Sequence, residues 1–186
     1  YNHIYLYDMQ GNLIRKVTDG SWEVTNYLGY DGDANRIYYM STEASPLQRH
    51  LYSINADGSD KRKLTNGTGW NSINMSPDYQ YYIETSSSPS MPPEYTLHKS
   101  NGEKVRVLED NTALRDTLAS YQLPKKEFIE IPLEQATLNG YILKPHNFDP
   151  EKEYPVLFYV YGGPGSQTVT REFASGQRAN WHRYLT

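Results

Sequence analysis

The sequence predicts a mainly β fold: the C-terminal blades of a β-propeller over residues 1–110, a helical linker over 111–124, and the start of an α/β domain over 125–186. Three observations carry this reading. Short tyrosine-rich segments recur with a period near 45 residues. A helical period intrudes once, at residues 111–121. Near the end, the unbroken apolar run Pro155-Val156-Leu157-Phe158-Tyr159-Val160-Tyr161 stops at a glycine-rich turn.

The repeat comes first in the chain. Leu6-Tyr7 recurs as Leu51-Tyr52, Gly11 as Gly58, and Val17-Thr18-Asp19-Gly20 as Leu64-Thr65-Asn66-Gly67. Trp22 recurs as Trp70, and Tyr38-Tyr39-Met40 as Tyr81-Tyr82-Ile83. A partial third copy opens at Tyr95-Thr96-Leu97-His98, turns at Asn101-Gly102 and runs through Val105-Arg106-Val107-Leu108. A period of this length, with short strands between turn residues, marks propeller blades, each a four-stranded sheet that needs neighbours to cover its faces. Two and a half units do not close a propeller of the usual size, so further blades are expected before Tyr1. Repetition of the two tryptophans at the blade period points to packing. The run Ser86-Ser87-Ser88-Pro89-Ser90-Met91-Pro92-Pro93 reads as a loop at a blade edge, because proline removes ladder donors.

Composition agrees with this. The 18 tyrosines favour half-buried pleated surface, and 11 prolines and 13 glycines supply turns. With 18 basic and 22 acidic residues the net charge is −4, which argues against a nucleic-acid partner. Zero cysteines exclude disulfides and thiolate metal sites. The five histidines, His3, His50, His98, His146 and His182, never fall at metal-ligand spacing, so each reads as a surface or satisfied histidine and no metal or cofactor is expected. Asn66-Gly67-Thr68 and Asn74-Met75-Ser76 are glycosylation sequons that matter only in a secreted eukaryotic protein.

After the repeats, Asn111 is placed to cap a short helix whose Leu114, Leu118 and Tyr121 share one face, with Leu123-Pro124 as its stop. Residues 126–131 alternate as a strand and residues 137–145 read as its partner. Residues 146–154 are a surface connection. The run at 155–161 reads as a strand buried on both faces, the habit of parallel sheets under helices. The turn then falls at a carboxyl strand end, where such sheets place ligands. Trp181, Tyr184 and Leu185 are expected to pack on the sheet as a helix begins.

Tyr161 is the candidate that this placement singles out. A phenol with a pKa near 10 donates a hydrogen bond at neutral pH without carrying charge, which suits an oxyanion donor; a buried strand-end tyrosine satisfied locally is the bland alternative. Gly162, Gly163 and Gly165 lack the spacing and the following Lys-Ser or Lys-Thr of a phosphate loop, and read as a tight turn. Gln167 is a candidate for the leaving-group side of a site, or a plain polar loop residue.

The order of elements, ending in Tyr159-Val160-Tyr161-Gly162-Gly163-Pro164-Gly165-Ser166-Gln167, resembles the prolyl oligopeptidase family of serine peptidases. Gly20-Ser21-Trp22-Glu23-Val24, Val105-Arg106-Val107-Leu108-Glu109-Asp110-Asn111 and Asn180-Trp181 carry a narrower likeness to its dipeptidyl peptidase IV branch. The resemblance implies that residues 125–186 are the first strands of an α/β-hydrolase domain beneath the propeller. It implies a parent enzyme that releases amino-terminal dipeptides with proline or alanine second, through an acyl-enzyme, from peptides with a free amino terminus. Tyr161 maps onto the family's oxyanion-donating tyrosine, and the family implies a homodimer outside the cytoplasm. The nucleophile does not map: no Gly-x-Ser-x-Gly motif occurs, and neither Ser59 nor Ser166 sits in a nucleophile elbow. The amine-binding glutamate pair does not map either, since the chain has no Glu-Glu. The triad is expected beyond Thr186, and this segment alone is expected to be inactive. A non-catalytic propeller scaffold and a related acylaminoacyl- or oligopeptidase are the alternatives.

Overall fold

The computed structural model describes residues 1–186 except Gln122, Tyr161, Pro164, Ser175 and Gly176. The chain opens with a two-stranded antiparallel unit, β1 (Tyr5–Tyr7) and β2 (Leu13–Lys16). Two four-stranded antiparallel meanders follow. The first is β3 (Val24–Asp31), β4 (Arg36–Ser41), β5 (His50–Asn55) and β6 (Arg62–Lys63), hydrogen-bonded in that order. The second is β7 (Trp70–Met75), β8 (Tyr81–Ser88), β9 (Met91–Lys99) and β10 (Lys104–Glu109). The propeller reading thus holds, with one shift of phase. Each sequence repeat supplies the last two strands of one sheet and the first two of the next.

Successive side chains of a strand point to opposite faces, so a strand with apolar residues on both faces is covered on both. That is the state of β4. Ile37 and Tyr39 pack with Val17, Tyr52 and Ile54 toward the β1–β2 unit. Tyr38 and Met40 pack with Leu51, Leu64 and Tyr82 toward the second meander. The tyrosine excess has its physical reason here: their rings stack, Tyr39 on Tyr52 at 5.7 Å and Tyr38 on Tyr79 at 6.0 Å between centroids.

Equivalent hydrogen bonds, recurring from one unit to the next, set the true register of the repeat. The Thr18 hydroxyl accepts from the Ile4 amide at 2.9 Å and lies 3.2 Å from His3 Nδ1. The Thr65 hydroxyl accepts from the Leu51 amide at 3.1 Å and lies 2.9 Å from His50 Nδ1. Likewise the Val24 amide donates to Asn2, and the Asn71 amide to Arg49. The repeat therefore aligns His3-Ile4-Tyr5 with His50-Leu51-Tyr52, two residues away from the pairing of Leu6-Tyr7 with Leu51-Tyr52. In this register the two tryptophans are not equivalent. Trp22 stacks on Tyr39 in the core, whereas Trp70 lies beneath the Arg49 guanidinium, 4.4 Å away.

Two other local expectations change. The predicted loop at 86–93 is almost wholly strand: β8 and β9 are joined by Pro89 and Ser90 alone, and a register shift between Ser86 and Ser88 leaves Pro92 and Pro93 outside the ladder. The helix α1 (Thr112–Ser120) forms, but Asn111 does not cap it through its side chain. Asn111 sits at φ 52°, and its side-chain Nδ2 donates to the Pro93 carbonyl at 2.6 Å. The Asp110 carboxylate accepts from the Thr112 amide instead. None of the helix's residues is buried.

Beyond α1, β11 (Lys126–Pro132) and β12 (Thr137–Leu143) pair antiparallel without a register break, as expected. The apolar run is the largest departure. Residues 153–160 form no strand, and Val156, Phe158 and Val160 are 71%, 83% and 83% exposed. A strand becomes buried on both faces only where flanking strands take its backbone groups and helices cover it. The sheet of β11 and β12 has no third strand among the described residues, so the run has no ladder to enter. The helix α2 (Gln177–Tyr184) begins where expected, but Trp181 and Tyr184 stack on each other and stay exposed.

Two expected outcomes follow from the packing. A Cβ at the buried Gly69 would lie 2.2 Å from the Ser87 carbonyl oxygen, so Gly69→Ala lowers stability by about 1–3 kcal/mol in denaturant titration. Gly162→Ala, where nothing lies within 4 Å of the added carbon, is close to neutral. His50 is fully buried, and burial, with Lys63 adding to it, lowers its pKa from 6.5 to about 4. Its Nδ1 accepts from the Thr65 hydroxyl and from Asn71 Nδ2, and Nε2–H donates to the Gln48 side-chain carbonyl, an arrangement for the neutral ring. The unfolded chain protonates this histidine first as pH falls. Stability held above pH 6.5 is therefore lost progressively toward pH 4, by at most roughly 3 kcal/mol. Unfolding free energies measured across that window lose this component in His50→Gln.

Candidate functional site

The segment that follows the glycine-rich turn is held against the propeller sheets. Gly165 takes φ +77°, a conformation that glycine reaches without cost, and the chain then runs back along the first meander. The Arg171 amide donates to the Leu47 carbonyl at 2.9 Å, and the Phe173 amide to the Ser87 hydroxyl at 3.3 Å. Residues 167–173 thereby touch both four-stranded sheets. Tyr161, the sequence's choice for an oxyanion donor, lies outside the described residues.

Gln167 sits where this return begins. Its Oε1 accepts from the Arg49 guanidinium at 2.7 Å. Its Nε2 donates to the Pro46 carbonyl at 2.8 Å and to the Val169 carbonyl at 3.0 Å. Both ends of the amide are engaged by protein, and Gln167 also lines a cavity of about 970 Å³ between Trp70 and the C-terminal segment.

The walls of that cavity include the rings of Trp70, Tyr141, Tyr159 and Trp181, with Lys126 and Arg178 as cations. Burial, then the charge of Arg183, holds the Lys126 ammonium below its usual range; Glu172 partly offsets this. Burial, with Tyr159 next, raises the Tyr141 phenol. Arg178 donates to the Tyr159 hydroxyl at 2.7 Å. Aromatic faces plus fixed donors suit a ligand with apolar bulk and acceptor oxygens.

The histidines fall outside this constellation, save His182, which lies against Tyr159 at 5.5 Å. His98 is buried, stacked on Tyr82, with Nδ1 at 3.3 Å from the Gly102 carbonyl and Nε2 at 2.8 Å from the Glu84 carboxylate. Burial raises the Glu84 pKa, against the pull of His98. Among the described residues, no group of three or more His, Asp or Glu side chains is placed to hold a metal ion.

Comparison with known proteins identifies the chain. Residues 1–93, through the first meander, β7, β8 and the start of β9, match the family described as the dipeptidyl peptidase IV N-terminal region. The chain belongs to the dipeptidyl peptidase IV N-terminal region family.

Relatives of this dipeptidyl peptidase IV-like chain extend the match past residue 93. It is 33% identical over 186 residues to a probable dipeptidyl peptidase 4 of Aspergillus flavus, covering 98% of this chain and 24% of that protein. It is 37% identical over 163 residues to a probable dipeptidyl-aminopeptidase B of Emericella nidulans, covering 84% of this chain and 18% of that protein. The crystal structure of Porphyromonas gingivalis dipeptidyl peptidase 4 superimposes with a TM-score of 0.89 at 42% identity, over 98% of this chain and 26% of that one. The chain thus spans about a quarter or less of the length of these relatives.

Sequence reasoning did not single out Arg49 or give Trp70 its place beside the turn. The available signal was weak. Arg49 stands 47 positions after Asn2, at the residue whose carbonyl links consecutive sheets, but its side chain acts on a residue 118 positions later.

Proposed function

We propose that this dipeptidyl peptidase IV-like chain is a segment of a longer serine exopeptidase that releases amino-terminal dipeptides. Residues 1–110 are its last propeller blades, 111–124 a linker and 125–186 the first strands of its hydrolase domain. The observation that supports this most is the family match over residues 1–93, continued by relatives named dipeptidyl peptidases across nearly the whole chain.

In this reading a serine outside the segment attacks the carbonyl carbon of the second residue. The carbonyl electrons move onto oxygen, and the tetrahedral centre collapses to an acyl-enzyme as the amine leaves with a proton; water then releases the dipeptide. Tyr161 donates its phenolic hydrogen bond to the negative oxygen, beside a backbone N–H. The donor is strongest when aimed before reaction, in a site shielded from water. Substrates carry a free amino terminus with proline or alanine second. The enzyme works as a homodimer outside the cytoplasm.

The test is kinetic. The 186-residue chain alone gives no serine-reactive hydrolysis of a Gly-Pro chromogenic substrate. In the longer protein, Tyr161→Phe lowers kcat about 10²- to 10³-fold with little change in KM. Wild-type longer protein without activity favours a non-catalytic propeller scaffold, and activity in the 186-residue chain removes the need for the missing serine.

A further inference from the structure

We propose that Arg49 is a positioning residue: it clamps Gln167, and with it the glycine-rich turn, onto the loop between β4 and β5. The inference rests on the peptidase reading for its catalytic consequence, but the clamp itself stands on geometry. Arg49 is fixed by both meanders before it reaches the turn. One guanidinium nitrogen donates to the Pro46 carbonyl at 3.1 Å and to the Gln48 carbonyl at 2.8 Å, and the group lies 4.4 Å above the Trp70 ring. The other nitrogen is left to meet Gln167 Oε1 at 2.7 Å. A planar fork held at three points delivers its remaining donor in one direction, which a lysine ammonium does not.

The partner is fixed just as fully. Gln167 Nε2 bonds the Pro46 and Val169 carbonyls, so the amide has one orientation consistent with its neighbours. Four residues later the Arg171 amide bonds the Leu47 carbonyl. Main-chain and side-chain bonds together hold residues 167–171 on residues 46–49. Gln167 follows Tyr161 by six residues, through Gly162, Gly163 and Gly165, which supply little stiffness of their own. A turn of that composition holds a neighbouring donor in place only if its far end is anchored, and Arg49 with Gln167 is such an anchor. Gln167 on this account serves the site by holding the turn, with no contact to the leaving group.

The experiment compares Arg49→Met, Gln167→Leu, Tyr161→Phe and the double variant Arg49→Met/Tyr161→Phe in the longer protein, using the Gly-Pro substrate. The two clamp variants lower kcat about 10- to 100-fold with KM little changed. Arg49→Met costs nothing further once Tyr161 is Phe, because the clamp acts through that donor. Additive losses, or a raised KM with kcat kept, overturn the proposal. Inactive wild-type enzyme sinks the peptidase reading instead, and hydrogen exchange on the 186-residue chain then decides the clamp. Arg49→Met and the exposed-site variant Gln167→Leu each speed exchange of the Arg171 amide at least about tenfold while β4 and β5 keep their protection. Unchanged exchange at Arg171 overturns it.

Discussion

Each four-stranded sheet here depends on its neighbour for a wall. The central strand β4 is apolar on both faces, so half of its side chains are buried by the β1–β2 unit and half by the second meander. Burying one large apolar side chain stabilises by about 1.5–3 kcal/mol, and β4 alone presents four such residues, Ile37, Tyr38, Tyr39 and Met40. No single sheet offers that burial to itself. The bonds from Val24 to the Asn2 carbonyl and from Asn71 to the Arg49 carbonyl then fix which residue of one unit faces which of the next.

The mutual burial gives the site its platform. Residues 46–49 lie in the connection between the two most buried strands, β4 and β5, and Leu47 itself is buried. Gln167 and Arg171, just past the glycine-rich turn, bond to that loop. Loops held on a rigid scaffold are where proteins put binding and catalytic groups. The relation between sheet and turn is thus one of support.

Much of this fold was legible in the sequence, for identifiable reasons. Turn residues such as Gly11, Gly58 and Gly102, and tyrosines at strand positions, state their local geometry one residue at a time. The register was not, because Leu-Tyr words drew the eye two residues from His3 and His50, whose partners Thr18 and Thr65 stand 15 positions away. The run at 155–161 reads as a strand from composition, yet a strand also needs partners, and composition does not say where they are. For the site, the turn at the end of the apolar run pointed to Tyr161 and Gln167, and the family resemblance gave Tyr161 its role. The contact of Gln167 with Arg49 is a tertiary fact between residues of unrelated local pattern, which periodicity does not reveal.

The dependence of one sheet on the next is tested most directly by damaging one and reading the other. Tyr82, 1% exposed on β8, lines the core shared with Tyr38, Met40 and Leu51 of the first meander. Native-state hydrogen exchange on the full 186-residue chain carrying Tyr82→Ala is the measurement. Removing so large a buried ring costs about 3–5 kcal/mol, and the account predicts that amides of β4 and β5 lose protection together with those of β8. Loss confined to the second meander, with β4 and β5 protected as before, would contradict it.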